Sequence, residues 1–130
     1  MTYDYGAAQT QARDLHNLVL CVLSNHVGAN NPILARDLAE AVGQGYGGKY
    51  SDRRVRIAIA QLRKAGHLIL SSVGSKPGYF LAANEEEWRE FRHSNLRARA
   101  LDILETDRAM AAAARSYFGD TVQLSLDLVA

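Results

Sequence analysis

Residues 51–65 can fold in few ways. Val55, Ala58, Ile59 and Leu62 recur at i, i+3, i+4 and i+7, a spacing that at about 100° per residue gathers them on one side of an α-helix. Arg53, Arg56, Ile57, Ala60 and Lys64 fall on the opposite side, flanked by Arg54, Gln61 and Arg63. A segment divided this way must bury one side and turn the other to water or to a partner. Ser51 or Asp52 supplies an oxygen for the first free backbone amides, and Gly66 ends the helix. Leu68-Ile69-Leu70 and Tyr79-Phe80-Leu81 follow, both apolar and β-compatible, joined by a turn carrying Gly74, Ser75, Lys76, Pro77 and Gly78. That order predicts a hairpin. A cationic rod beside a cationic hairpin matches duplex DNA, which offers a groove for the rod and phosphates on either side of it.

The remainder of the chain supports a mainly α architecture. Leu15, Leu18, Val19, Val22 and Leu23 predict a first helix over residues 9–26, stopped by Gly28-Ala29-Asn30-Asn31-Pro32, with residues 1–8 loose. Ile33 and Leu34 make a short strand at most. Residues 36–42 predict a second helix with Leu38, Ala39 and Val42 inward, and Gly43, Gly45, Gly47 and Gly48 form a glycine-rich connection. Asn84 with Glu87 three positions on resembles a capping box, and Glu85 to Glu87 suit the positive end of a helix dipole. Trp88, Phe91, Leu96, Ala100, Ile103 and Leu104 carry that helix on. Thr106 or Asp107 is a candidate break or cap before a second segment through Phe118, and Gly119 ends it. Unbroken, residues 85–118 would extend about 50 Å at roughly 1.5 Å per residue. In so small a chain such a helix either bends or packs on a second copy, giving a homodimer through residues 85–118.

Composition bounds the function more loosely. Apolar residues make up 48 % of the 130, enough for a core, and the net charge is only +1. The distribution is more informative. From Lys49 to Lys64 six cations (Lys49, Arg53, Arg54, Arg56, Arg63, Lys64) face one anion, Asp52, while seven acids outnumber four arginines from Glu85 to Asp107. A local patch outweighs the sum, because exposed charges more than about 8 Å apart are largely screened at physiological salt. The single cysteine, Cys21, cannot form an internal disulfide, which fits a reducing, cytoplasmic setting. No apolar run approaches the roughly 20 residues needed to span a bilayer. The N-terminus lacks a charged-then-apolar signal pattern, so export is not expected.

The order helix, short strand, helix, helix, hairpin over residues 9–82 resembles the winged helix-turn-helix family. Ser51, Val55, Ile59, Leu62, Gly66 and Ile69, followed by Gly78-Tyr79-Phe80-Leu81, carry the resemblance best, and similar stretches occur in small phage and bacterial DNA-binding proteins. The resemblance implies a mainly α fold with a small β-hairpin wing. With the helical pattern that follows, the chain is expected to divide into a winged-helix domain over residues 1–83, a long C-terminal helical extension over 84–118 and an extended tail over 119–130. It also implies that the third helix enters the major groove and the wing touches the backbone or minor groove. DNA contacts are then expected from Lys49, Ser51, Arg53, Arg54, Arg56, Ile57, Ala60, Gln61, Arg63 and Lys64, and from Ser75 and Lys76 on the wing. An arginine fork bound to a guanine edge contributes about 1–3 kcal/mol of discrimination, whereas lysines and peripheral arginines more often hold phosphate. The bland reading of the same cations is the solvated face of a core helix.

After Gly119, Gln123-Leu124-Ser125-Leu126-Asp127-Leu128 resembles the hexapeptide with which bacterial proteins dock on the DNA sliding clamp. Gln123, Leu124, Leu126 and Leu128 match its four defining positions. Leucines would anchor in an apolar groove and the glutamine amide would bond at its rim. The alternative is a period-two β-strand completing a sheet of this chain or of a dimer.

Other chemistry is weakly signalled. His16, His26, His67 and His93 have no metal-ligand spacing with one another or with Cys21. Gly43-x-Gly45-x-Gly47-Gly48-Lys49 lacks both the preceding strand and the Gly-Lys-Ser/Thr end of a phosphate loop. No catalytic residue, metal or cofactor is expected. The leading expectation is a non-enzymatic duplex-DNA-binding adaptor in DNA replication or its control, docked on the sliding clamp. A dimeric winged-helix transcriptional regulator and a winged-helix protein-interaction module without DNA binding are the alternatives.

Overall fold

The structure, a computed structural model, describes the backbone of residues 5–46 and 50–119 and the side chains of residues 14–44 and 50–119. The element order is α1 (Tyr5–Leu23), α2 (Ala35–Tyr46), α3 (Asp52–Lys64), β1 (Ile69–Ser72), β2 (Gly78–Leu81), α4 (Glu85–Phe91), a π-helical segment (Arg92–Arg97) and α5 (Ala98–Phe118). The chain is thus mainly helical with a small two-stranded antiparallel sheet. It divides into two units, Met1–Arg89 and Glu90–Ala130.

In the first unit, α1, α2 and α3 pack on one another. Leu15, Val19 and Leu23 from α1, Leu38, Ala39 and Val42 from α2, Val55, Ala58, Ile59 and Leu62 from α3 and Ile69 from β1 form one buried cluster. Each large apolar side chain removed from water here contributes about 1.5–3 kcal/mol relative to exposure. All four predicted inward positions of α3 are buried. Ser51 is its N-cap: the Oγ accepts from Arg54 N at 3.2 Å, satisfying one of the orphan amides of the first turn.

Helix limits differ from those the sequence predicts. α1 begins at Tyr5 rather than residue 9. It ends at Leu23 rather than residue 26, because His26 N donates to Leu23 O at 2.8 Å and Asn25 N to Val22 O at 3.1 Å, tightening the chain into turns. α2 continues past Val42 to Tyr46, so Gly43 and Gly45 lie within the helix and not in the connection. A helical glycine costs about 1 kcal/mol relative to alanine. Burial of this helix against α1 and α3 outweighs that cost.

The hairpin pairs Ile69 with Leu81, Leu70 with Phe80, Ser71 with Tyr79 and Ser72 with Gly78. The outer edge of β2 is also occupied. Ile33 N donates to Tyr79 O at 2.9 Å, Tyr79 N to Ile33 O at 2.8 Å and Gly28 N to Leu81 O at 2.9 Å. The short strand expected at Ile33 is therefore a single bridge. It requires glycine at 78, whose φ is +137° and where a Cβ would lie 2.5 Å from Ile33 O.

At the start of α4, Glu87 N donates to Asn84 Oδ1 at 2.9 Å, as in a capping box. The Glu87 carboxylate reaches further back than the motif requires. Its Oε1 accepts from Ala83 N and its Oε2 from Ala29 N, both at 2.8 Å, which ties the loop after α1 to the first turn of α4. Backbone then remains helical to Phe118. The expected break at Thr106 or Asp107 does not occur, because the Thr106 hydroxyl donates back to Asp102 O at 3.1 Å inside the helix. The irregularity lies earlier, at the π-helical Arg92–Arg97. Gly119, with φ +84°, terminates α5 as predicted. No helix among the described residues is long and apolar enough to cross a membrane.

Gly78→Ala is expected to destabilise the fold by about 1–3 kcal/mol through its positive φ, with a further loss from separating β2 from Ile33. Thermal unfolding measures it, and an unchanged melting temperature would show that the Ile33 bridge is dispensable.

Candidate nucleic-acid interface

Burial of Val55, Ala58, Ile59 and Leu62 turns the other side of α3 outward. Arg53, Arg54, Arg56, Ile57, Ala60, Gln61 and Lys64 are all exposed. Ile57 is 47 % exposed, a large apolar side chain standing among cations. Arg36 pairs with Asp37 and Arg89 with Glu85, and neither pair involves Arg53, Arg56 or Lys64. Arg53, Arg56 and Lys64 thus carry their charge without a carboxylate partner among the described residues. Asp52, in the first turn, is the one acid of the helix.

The flanking residues have local partners. The Arg54 guanidinium lies 4.8 Å from the centroid of the Tyr50 ring, a cation–π contact that holds it at the start of α3. Gln61 Oε1 accepts from His16 Nε2 at 2.8 Å, linking the polar side of α3 to α1. Ser51, expected as a DNA contact, is exposed but uses its hydroxyl oxygen as the N-cap acceptor.

Arg63 is placed differently from the other cations. It is half-buried, its Nε donates to Ile69 O at 2.7 Å, its Nη2 donates to Ser71 Oγ at 3.4 Å, and its guanidinium stands 5.7 Å from the centroid of the Tyr79 ring. One side chain therefore joins the last turn of α3 to both hairpin strands. The signal was in the spacing: Arg63 follows Ile59 by four positions, so it borders the buried stripe.

The hairpin turn carries the other expected contacts. Ser75 and Lys76 are exposed. Ser72 Oγ donates to Lys76 O at 2.7 Å and closes the turn, and Lys76 Nζ donates to Asn30 O at 3.4 Å. Lys49 and the peptide Gln123, Leu124, Leu126 and Leu128 lie outside the described residues.

A shallow open concavity of about 500 Å³ lies beside this face, lined by Arg36, Glu40, Tyr50 and Asp52 among others. Its charges are mixed in sign, which favours neither an anion nor a cation. Among the described residues no group of three His, Cys, Asp or Glu side chains is gathered to hold a metal ion. No family model, curated protein or solved structure matches this chain.

Arg63→Ala is expected to lower stability by about 1–3 kcal/mol, the cost of leaving half-buried acceptors unpaired. Arg63→Lys should restore little of it, since an ammonium cannot both fork and stack. Arg53→Ala, by contrast, should melt within about 0.5 kcal/mol of the parent chain. Equal melting of the two alanine variants would make Arg63 an ordinary surface cation.

Proposed function

We propose that this chain is a non-enzymatic, duplex-DNA-binding adaptor acting in DNA replication or its control. On this reading residues 9–82 form a winged helix-turn-helix, α3 enters the major groove and the β1–β2 hairpin is the wing. The observation that carries the reading is the exposed cationic side of α3, with Arg53, Arg56 and Lys64 free of carboxylate partners among the described residues and the opposite side fully buried. A helix of about 10–12 Å diameter fits a major groove about 12 Å wide. Arg53, Arg56 and Lys64 would meet phosphates and guanine edges, and Ile57 and Ala60 would meet the floor of the groove. Lys76 and Ser75 would meet the flanking backbone. Arg63 has the different task of fixing the wing relative to α3, and Arg54 stacked on Tyr50 shapes the rim.

The replication assignment rests on the tail. Gln123, Leu124, Leu126 and Leu128 match the sliding-clamp peptide, and a short peptide of this kind would give modest affinity suited to recruitment.

Two measurements test these assignments. Duplex affinity should fall steeply between low and moderate salt. Arg56→Ala with Lys64→Ala should weaken it while reducing the slope of log affinity against log salt by about 2, with the melting temperature held. Absence of binding even at low salt would favour a protein-interaction module instead. Deleting residues 122–130 should abolish clamp capture and leave DNA affinity and melting unchanged. Unfolding on deletion would make the tail a structural strand.

A further inference from the structure

α5 is a 21-residue helix with no buried side chain. Leu101, Ile103, Leu104, Met110, Tyr117 and Phe118 are all exposed, Ile103 and Met110 at 68 % each and Tyr117 at 83 %. A lone helix of this length is marginal in water, because nucleation is costly and helices in proteins owe most of their stability to packing. This one therefore calls for a partner along its length.

Its apolar residues are ordered for that purpose. Ile103, Met110 and Tyr117 recur every seven positions, as do Ala100, Asp107 and Ala114 three positions earlier and Leu104, Ala111 and Phe118 one position later. At roughly 100° per residue these three rows share a face about 140° wide. Asp107 is its one charged member. Seven-residue repetition of this kind is the pattern of a helix that packs on another helix.

Two features identify the partner as a second α5 running antiparallel. The first is charge. The first half of α5 carries Asp102, Glu105 and Asp107 against Arg99, while the second half carries Arg108 and Arg115 with no acid. Antiparallel pairing sets acidic half beside basic half and opposes the two helix dipoles, whereas parallel pairing sets like on like. The second is volume. Ala98 and Ala100 open the helix, Ile103 and Leu104 follow, Ala111 to Ala114 come next, and Tyr117 and Phe118 close it. Reversing one copy lays Tyr117 on Ala100 and Ile103 on Ala114, large against small at the two outer levels, as dense packing requires, and Met110 on Asp107 between them. Parallel pairing would lay alanine on alanine and leave voids.

We infer that this chain forms a homodimer through antiparallel α5 helices, with the two-fold axis crossing between Arg108 and Ala109. This inference is independent of the DNA reading. Asp107 then lies close to the axis, within reach of Arg108 of the second copy. A polar residue inside an apolar seam fixes register at some cost in stability.

Sedimentation equilibrium of the full chain, together with disulfide trapping in a Cys21→Ser background, tests the inference. The parent chain should be dimeric, and Met110→Asp should raise the dimer dissociation constant at least about tenfold, since it places a charge in the seam. Ile103→Cys alone and Ala114→Cys alone should give no cross-linked dimer. The double variant should give one, because the two positions are about 16 Å apart along one helix and cannot bridge within a chain. A monomer at about 100 μM, a dimer indifferent to Met110→Asp, or self-cross-linking of Ile103→Cys would each overturn it. The last of these would specify a parallel pair, and a monomer would mean that the face is covered by something other than a second copy.

Discussion

The buried stripe of α3 is the constraint on which the rest of the first unit depends. Val55, Ala58, Ile59 and Leu62 are between 0 % and 4 % exposed, and they join α1, α2 and β1 in one cluster. Four apolar residues at this spacing cannot be buried without turning Arg53, Arg56, Ile57, Ala60 and Lys64 to the outside. The cationic face is therefore a consequence of the core, and its rigidity is that of the core. A ligand that meets this face meets side chains whose backbone is already fixed, so little ordering entropy is lost in the scaffold on binding.

Coupling between helix and hairpin is apolar at Ile69, with Tyr79 and Leu81 packed against the same cluster, and polar beyond it. Ile69 alone carries the buried cluster into β1. Beyond it, the Arg63 guanidinium bonds to Ile69 O and Ser71 Oγ and stacks on Tyr79, and Ile33 exchanges two backbone hydrogen bonds with Tyr79. Tyr79 thus receives the Ile33 bridge on its backbone and the end of α3 on its ring. The hairpin tip is anchored separately by Lys76 to Asn30. Forked, planar interactions of this sort specify orientation better than apolar packing does. That suits a hairpin whose value would lie in its placement relative to α3.

Sequence made the short-range features legible. The α3 stripe, the Ser51 cap, the hairpin, the Asn84–Glu87 pair and the Gly119 stop are each determined by residues within a turn or two of one another. What escaped was decided at a distance. Gly43 and Gly45 remain helical because α2 is packed on α1 and α3, which no local propensity records. The second oxygen of Glu87 finds Ala29 N, 58 positions away. Arg63 lies on the flank of the polar side, and nothing within a turn of it records that Ile69 O, Ser71 Oγ and the Tyr79 ring will come within its reach. Thr106 or Asp107 is a candidate break or cap by sequence, both being short polar residues that bond to nearby backbone. Here the Thr106 hydroxyl bonds inside the helix to Asp102 O.

The number of cations left for a nucleic acid limits what one copy can do on the proposed reading. Arg63 is engaged with the hairpin and Arg54 with Tyr50, so Arg53, Arg56 and Lys64 carry the main burden on α3, with Lys76 beyond. Each phosphate neutralised contributes roughly 0.9 to the salt slope, and three or four such contacts fall short of the six to ten typical of strong binders. A single face of this kind gains most from being held near its target by other means. A second copy joined through α5 would add an equal set of contacts, and a peptide docked on a clamp encircling the duplex would raise the local concentration. Either route makes the second encounter intramolecular and multiplies affinity without a new residue on α3. On that reading the sparse charge of α3 and the two segments that follow it would act together: weak contact at each surface, with strength supplied by linkage.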